Sequence, residues 1–233
     1  MKKLLLGVAI LFWPMSAVAQ SSEELCRTTS PFENPSAAIR ACRHALIESP
    51  ALKDDAEIHR NLGMAAREVG EFDQSIVAFE TALALEYDTQ TLRMLAWSHR
   101  ENDDLVKAEE LYTRGLAEED HWQGWLSRCV VRGDLENWAG AISDCRAAQE
   151  RDPENDDVYF FLARSLSFGE LYEESFAVAT EGAALFPEQA RFYTELAWAA
   201  RLTGQGEFGL KVAKDALQRF PEDAGLLHFL SSN

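Results

Sequence analysis

Apolar residues recur along this chain in blocks of about a dozen positions, with the three- and four-residue spacing of amphipathic helices. The blocks come in pairs, and short turns such as Val69-Gly70-Glu71-Phe72 separate the two members of a pair. The order of residue types returns about every 34 residues, which aligns Leu62-Gly63, Leu95-Ala96, Leu162-Ala163 and Leu196-Ala197. A fixed period of this length predicts stacked copies of one helical unit, so the fold class is an all-α solenoid.

Five full units follow from this period, at residues 56–88, 89–121, 122–155, 156–189 and 190–223. Proline cannot continue a helix, and Pro153, Pro187 and Pro221 mark the ends of three units. Residues 20–55 contain a degenerate copy of the unit with a shortened first helix, and residues 224–233 contain a short apolar helix. Both terminal segments are expected to cap the apolar ends of the array.

The first 19 residues have the composition of a secretory signal peptide. Lys2 and Lys3 precede an apolar stretch that Pro14 interrupts, and Ala17-Val18-Ala19 provides the small-x-small cleavage pattern. The stretch is too short to span a bilayer, so we predict cleavage after Ala19 and no stable membrane insertion afterwards. The residue after the cut is Gln20, which offers no cysteine for lipid attachment. The predicted location is therefore the periplasm or the cell exterior.

The mature chain would be strongly acidic. The whole sequence has 22 Lys and Arg against 39 Asp and Glu, a formal charge of −17, and removal of Lys2 and Lys3 gives 20 − 39 = −19. Nucleic acids and anionic membrane surfaces attract a clustered positive field, so this charge argues against both as partners.

The repeated units resemble the tetratricopeptide repeat family. The family pattern combines Leu-Gly/Ala in a first helix with an aromatic residue and small residues in a second helix, often followed by proline. The first full unit matches this pattern with Leu62, Gly63, Gly70, Phe72, Phe79 and Ala82. The resemblance implies a right-handed superhelix of stacked antiparallel helix pairs, with the first helix of every pair lining a concave groove.

A stripe of arginine and aromatic residues is then expected on the concave face, because side chains three and four positions apart share one face of a helix. Either the arginines neutralise neighbouring acids while the aromatics pack between units, or the stripe binds a partner segment that carries carboxylates, for which the planar arginine fork is suited. The predicted groove residues are Arg60, Met64, Arg67, Arg93, Trp97, Arg100, Phe160, Arg164, Arg191, Trp198 and Arg201.

Two pairs of cysteines have the same spacing of 16 residues, Cys26 with Cys42 and Cys129 with Cys145. By the family resemblance, such positions face each other inside one helical hairpin. An exported chain meets an oxidising compartment, so we predict the disulfides Cys26–Cys42 and Cys129–Cys145. A metal site is the alternative, but the sequence has no close Cys-x-x-Cys pair and its five histidines are scattered.

The sequence offers no catalytic signature, since it lacks a Gly-rich phosphate loop, a His-Glu-x-x-His motif and a Gly-x-Ser-x-Gly elbow. The leading hypothesis is a scaffold, without cofactor or metal, that binds a protein or peptide with acidic residues. The alternatives are an assembly factor or chaperone for envelope proteins, an enzyme or accessory subunit acting on an envelope polymer, and a purely structural oligomeriser.

Overall fold

A computed structural model describes residues 20–232, and the predicted signal peptide lies outside them. The described chain is helical and contains no strand, which confirms the predicted fold class. The helices are α1 (Ser22–Thr28), α2 (Pro35–Glu48), α3 (Ala56–Glu68), α4 (Phe72–Leu85), α5 (Thr89–Glu101), α6 (Leu105–Glu118), α7 (Trp122–Asp134), α8 (Trp138–Arg151), α9 (Asp156–Phe168), α10 (Tyr172–Leu185), α11 (Ala190–Leu202), α12 (Gly206–Leu217) and α13 (Ala224–Ser231). A 3₁₀ helix, Pro50–Asp54, joins α2 to α3.

Consecutive helices pack as antiparallel pairs, and each pair packs against the next. The odd-numbered helices also contact one another, α1 with α3 and so on to α11 with α13. Helices that approach more closely on one side of a stack curve it toward that side, so the odd-numbered helices form the concave face. Whether residues 20–55 and 224–233 act as caps stays a prediction, although α13 buries Leu226 and Phe229 completely against the last pair.

The turn inside each full unit has one recurring geometry. The residues Gly70, Asp103, Glu136, Glu170 and Gly204 all have a positive φ, between 58° and 79°. The next residue donates its backbone N–H back to the first helix, as in the 2.9 Å bond from Glu71 N to the carbonyl oxygen of Ala66. This is the Schellman arrangement, in which a left-handed residue ends one helix and starts the reversal. Glycine supplies that conformation in the first and fifth units, and acidic residues adopt it in the other three.

The matched core positions of a pair hold a small residue on the first helix and a residue of variable size on the second, from Phe79 and Tyr112 to Ala179 and Ala213. In the first full unit Gly63 packs against the buried ring of Phe79, and a Cβ built on Gly63 would lie 2.8 Å from that ring. The third unit differs, because Cys129 on α7 and Cys145 on α8 form a disulfide with a Cα–Cα distance of 5.4 Å. Cys26 and Cys42 join α1 to α2 at 4.6 Å. Both predicted disulfides are therefore present, and the described chain has no free cysteine.

Beside its disulfide, the third unit also has a buried charge cluster. Asp144 on α8 is 1% exposed and accepts bonds of 2.8 Å from both Nε and Nη2 of Arg128. Arg132 donates a further bond of 2.9 Å to Asp144 and binds Glu109 on α6 at 2.7 Å. The cluster connects the second and third units through polar contacts where the other units use apolar ones.

Candidate functional site

The predicted groove residues lie on the concave helices α3, α5, α9 and α11, but they line separate clefts rather than one continuous surface. Arg60 and Met64 share a cleft with Gln90 and Met94. Arg100 and Arg164 border another cleft, next to Trp138. Phe160 packs edge-on against Phe161, with the guanidinium carbon of Arg191 4.9 Å from the Phe160 ring centroid. The remaining predicted residues lie in two larger clefts or at their edges.

Most of the predicted arginines are occupied by intramolecular partners. Arg60 pairs with Glu86 at 3.1 Å and with Asp88 at 3.2 Å, where Asp88 also caps the N-terminus of α5. Arg27 pairs with Asp55, the N-cap of α3, in the same way. The arginine of one concave helix thus binds acids at the start of the next. This arrangement matches the first of the two interpretations, in which the arginines neutralise neighbouring acids.

The other arginines of the stripe, except Arg164, also have intramolecular partners. Arg93 pairs with Glu119 at 3.2 Å, and Arg191 pairs with Asp156 and Asp157, both at 2.6 Å. Arg67 pairs with Glu68 at 2.8 Å, Arg100 with Asp134 at 2.7 Å, and Arg201 donates to the carbonyl oxygen of Ser232 at 3.0 Å. Arg164 alone of the seven has no salt bridge and no hydrogen bond to the described residues 20–232. It is the arginine most available to a partner.

The central cleft has a volume of about 640 Å³ and lies between the N-terminal unit and the fourth full unit. Trp97, which is 47% exposed, lines this cleft with the guanidinium carbon of Arg67 4.3 Å from the indole centroid. Arg93 contributes to the same cleft. The full lining is Phe32, Arg67, Glu68, Gln90, Arg93, Met94, Trp97, Tyr112, Trp122, Gln123, Leu126, Ser127 and Asp157.

Three aromatic residues of the central cleft, Phe32, Tyr112 and Trp122, were missed from the sequence. Phe32 belongs to the turn between α1 and α2 and is 59% exposed, which is unusual for a side chain of its size. Trp122 is the first residue of α7. The stripe was drawn only from matched positions of full units, so a loop residue of the N-terminal unit lay outside it.

The C-terminal cleft has a volume of about 690 Å³ and lies between α9 and α11. Its lining residues are Arg164, Ser167, Phe168, Glu170, Tyr172, Thr194, Glu195, Trp198, Leu202 and His228. Glu195 is mostly buried, and this burial raises the pKa of its carboxyl group to about 7, while the positive charge of Arg164 acts in the opposite direction. Glu195 makes no hydrogen bond or salt bridge with any other residue in the described range.

This raised pKa predicts a pH-dependent stability. The folded state holds the Glu195 proton up to about pH 7, whereas the unfolded state releases it near the ordinary value of 4.5. The free energy of unfolding should therefore fall as the pH rises from about 4.5 to about 7. We expect Glu195→Gln to be more stable than the wild type by about 2 kcal/mol at pH 8 and nearly equal to it at pH 4.

Urea unfolding at both pH values measures this difference. Glu222→Gln is the matched control, because Glu222 is an exposed carboxylate in the turn before α13. A gain in Glu195→Gln that is the same at pH 4 and pH 8 would show that the carboxyl group is not protonated by burial.

Neither a metal-binding cluster nor a membrane-spanning helix occurs in residues 20–232. No group of three or more His, Cys, Asp or Glu side chains there could hold a metal ion. None of the helices described above is both long and apolar enough to cross a membrane.

The fold is that of the tetratricopeptide repeat proteins, as the sequence pattern predicted. A tetratricopeptide repeat protein from Parabacteroides merdae aligns with 85% of this chain and 78% of its own, at a TM-score of 0.74 and 18% identity. MamA aligns with 75% of this chain and 95% of its own, at a TM-score of 0.65 and 17% identity. YrrB, described as a tetratricopeptide protein with an unusual peptide-binding site, aligns with 82% of this chain and 98% of its own, at 0.64 and 17%. No protein-family model and no curated protein sequence matches the chain.

Proposed function

We propose that this protein is an interaction scaffold of the periplasm or cell exterior that binds a protein or peptide on its concave face. The observation that carries the proposal is the central cleft, where Trp97 is half exposed between Arg67 and Arg93. Tryptophan and arginine are the residues most enriched at binding hot spots. A half-exposed indole beside Phe32 and Trp122 forms an apolar surface that a partner side chain could bury.

An extracytoplasmic location is supported by two features. The first is the signal-like segment of residues 1–19, and the second is the pair of disulfides, which persist in oxidising compartments and are rare in reducing ones. The concave binding mode is supported by the fold, since YrrB shares it and carries a peptide-binding site.

An acidic partner segment is part of the proposal, and its carboxylates would bind at the arginines of the concave face. The carboxylates that now pair with Arg67 and Arg93 are partly exposed, at 32% for Glu68 and 44% for Glu119. The Arg93 side chain is 21% exposed and the Arg67 side chain only 9%, so Arg93 is the more accessible of the two to a partner carboxylate. Arg164 has no salt bridge within residues 20–232, so a partner carboxylate would replace no acid there.

We expect Trp97→Ala to weaken partner binding by about 2 kcal/mol, or roughly 30-fold, because the variant removes a large, half-exposed aromatic surface from the central cleft. The folded state should keep its helical content, since half of the Trp97 side chain already contacts solvent. The partner is first captured from an envelope extract on the immobilised mature chain. Its dissociation constant is then measured for the wild type and the variant by calorimetry.

A pair of arginine variants provides the matched control. Arg93→Gln removes a paired arginine from the central cleft, while Arg114→Gln removes one from α6, where Arg114 pairs with Glu118. Only the first should weaken binding, and the effect should shrink as the salt concentration rises. Equal effects of the two variants, or full binding by Trp97→Ala, would exclude the central cleft. Binding of many unrelated peptides with similar affinity would favour the chaperone alternative.

A further inference from the structure

The C-terminal cleft contains a carboxyl group that the scaffold itself leaves without a partner. Several other acids on the concave face pair with arginines, as Asp88 does with Arg60. Glu195 is mostly enclosed by the cleft and has no such contact within residues 20–232. An ionised carboxylate that is removed from water without a counter-charge is costly, and a cationic group that enters the cleft would relieve that cost.

The walls of the C-terminal cleft suit a cation on a long apolar stem. Trp198 and Phe168 contribute aromatic rings, where Phe168 also stacks on Trp138 and the guanidinium carbon of Arg201 lies 5.4 Å from the Trp198 ring centroid. Leu202 adds aliphatic surface, being 43% exposed. Aromatic faces attract ammonium groups, tryptophan most strongly, and the methylene chain of lysine packs along apolar walls while its charged end reaches a polar group.

The charges that line the cleft point to the same ligand. At pH 8, where Glu195 is mostly ionised, Glu170 and Glu195 contribute two negative charges, and Arg164 contributes one positive charge. The Arg164 side chain is exposed, with its guanidinium carbon 5.6 Å from the ring centroid of Phe168. The balance therefore favours a cation.

We propose that the C-terminal cleft receives a lysine side chain of the bound polypeptide, whose ammonium group pairs with the carboxylate of Glu195 beside the ring of Trp198. The inference rests on the proposed function, because the lysine belongs to a protein or peptide on the concave face. It adds a basic anchor point to the acidic features expected at the central cleft and at Arg164, so the partner segment carries charges of both signs.

Three capped pentapeptides that differ only at the central residue test the proposal. The probes are acetyl-Gly-Ala-Lys-Ala-Gly-amide and its norleucine and glutamate counterparts, titrated at pH 8 into the mature chain with its disulfides intact. Binding is followed through the Trp198 indole N–H resonance, which is assigned by its loss in Trp198→Phe. We expect the lysine peptide to bind at least about tenfold more tightly than the norleucine peptide, because only lysine can form a partly buried charge pair with Glu195.

Two variants separate the contributions of the charges. Glu195→Gln should abolish the preference for lysine over norleucine while it retains the melting behaviour of a folded protein. Arg164→Gln should strengthen lysine binding, because it removes the positive charge that opposes the ligand. A glutamate peptide that binds best, a Glu195→Gln variant that keeps its lysine preference, or no lysine binding at millimolar concentration would overturn the inference.

The pH dependence supplies an independent readout. The ionisable groups around Glu195 are Arg164 on α9, Glu170 in the following turn, Tyr172 on α10 and His228 on α13. Since the Glu195 carboxyl group has a pKa of about 7, lysine binding should be about tenfold weaker at pH 6 than at pH 8. The His228→Gln variant should retain this pH dependence. If the pH dependence disappears in that variant, the titrating group is the His228 imidazole and not Glu195.

A failure of the lysine proposal can be distinguished from a failure of the proposed scaffold function. If the captured partner binds Glu195→Gln as tightly as the wild type but no longer binds Trp97→Ala, the concave scaffold stands and the lysine pocket is wrong. If both variants bind normally, the concave face is not the interface.

Discussion

Asp144→Leu is expected to lower the free energy of unfolding by about 3–5 kcal/mol, the largest effect of any substitution considered for this chain. Asp144 is 1% exposed and accepts two hydrogen bonds from Arg128 and one from Arg132. The variant leaves the Arg128 guanidinium buried, with only the Thr113 hydroxyl as a bonded partner. A buried charge that has lost its counter-ion is more costly than the original ion pair was stabilising. Guanidinium chloride unfolding measures the loss.

The double variant Arg128→Leu, Asp144→Leu is the control. Leucine occupies the position of Arg128 in the other full units, as Leu62, Leu95, Leu162 and Leu196, and apolar residues occupy that of Asp144, as Ala78, Leu111, Val178 and Val212. Replacement of the whole pair should recover most of the lost stability, to within about 1 kcal/mol of the wild type or above it. Arg132 keeps its bond to Glu109. If the double variant is as unstable as Asp144→Leu alone, the site needs charge for another reason.

The fold was predictable because each unit repeats the same local information. The Leu-Gly/Ala pair returns at the same interval in four of the five full units, and the turn residue with a positive φ returns in all five, so individually weak signals support one another. The ion pair in the third unit is also visible in the sequence, as two charged residues at positions that are apolar in the other units. Arg128 and Asp144 are 16 residues apart, as Cys129 and Cys145 are, and both replace apolar residues at matched positions.

The candidate site was predictable only in part. The helix period places Trp97, Arg67 and Arg93 on the concave face, and the structure brings them together in the central cleft. The acids that bind Arg60 and Arg93 could not be derived from that period, because they lie in the segments that connect the second helix of the unit to the next concave helix. Arg60 binds Asp88 and Arg93 binds Glu119, at separations of 28 and 26 residues, and these pairings depend on how neighbouring units stack.

Glu195 illustrates what a comparison of units can reveal. The matched positions in the other full units hold Asn61, Met94, Ser127 and Phe161, so Glu195 is the one ionisable residue at this point of the repeat. A charge at a position that is otherwise neutral indicates a local role. The repeat pattern alone does not say whether that role is a structural ion pair or a ligand site, and the absence of a salt-bridge partner for Glu195 within residues 20–232 favours the ligand site.

Removal of the central disulfide, by Cys129→Ala with Cys145→Ala, should lower the free energy of unfolding by about 3 kcal/mol, because the cross-link restricts the unfolded chain. Alanine is the appropriate replacement, since Ala96, Ala163 and Ala197 occupy the position of Cys129 in other units. The substitution therefore creates little strain, and most of the loss can be attributed to the cross-link. Denaturant unfolding under oxidising conditions gives the value.

The same change at the other disulfide, Cys26→Ala with Cys42→Ala, should have a more local consequence. The helix that carries Cys26, α1, has only seven residues, and a helix of that length is not stable without tertiary contacts. Amide exchange should accelerate in Ser22–Thr28 while the protection of α7 and α8 is retained. The Cys129/Cys145 variant should show the opposite pattern, with faster amide exchange in α7 and α8 and retained protection in α1. Uniform exchange in both variants would mean that the array unfolds as one cooperative unit, so that neither disulfide acts on its own helix pair.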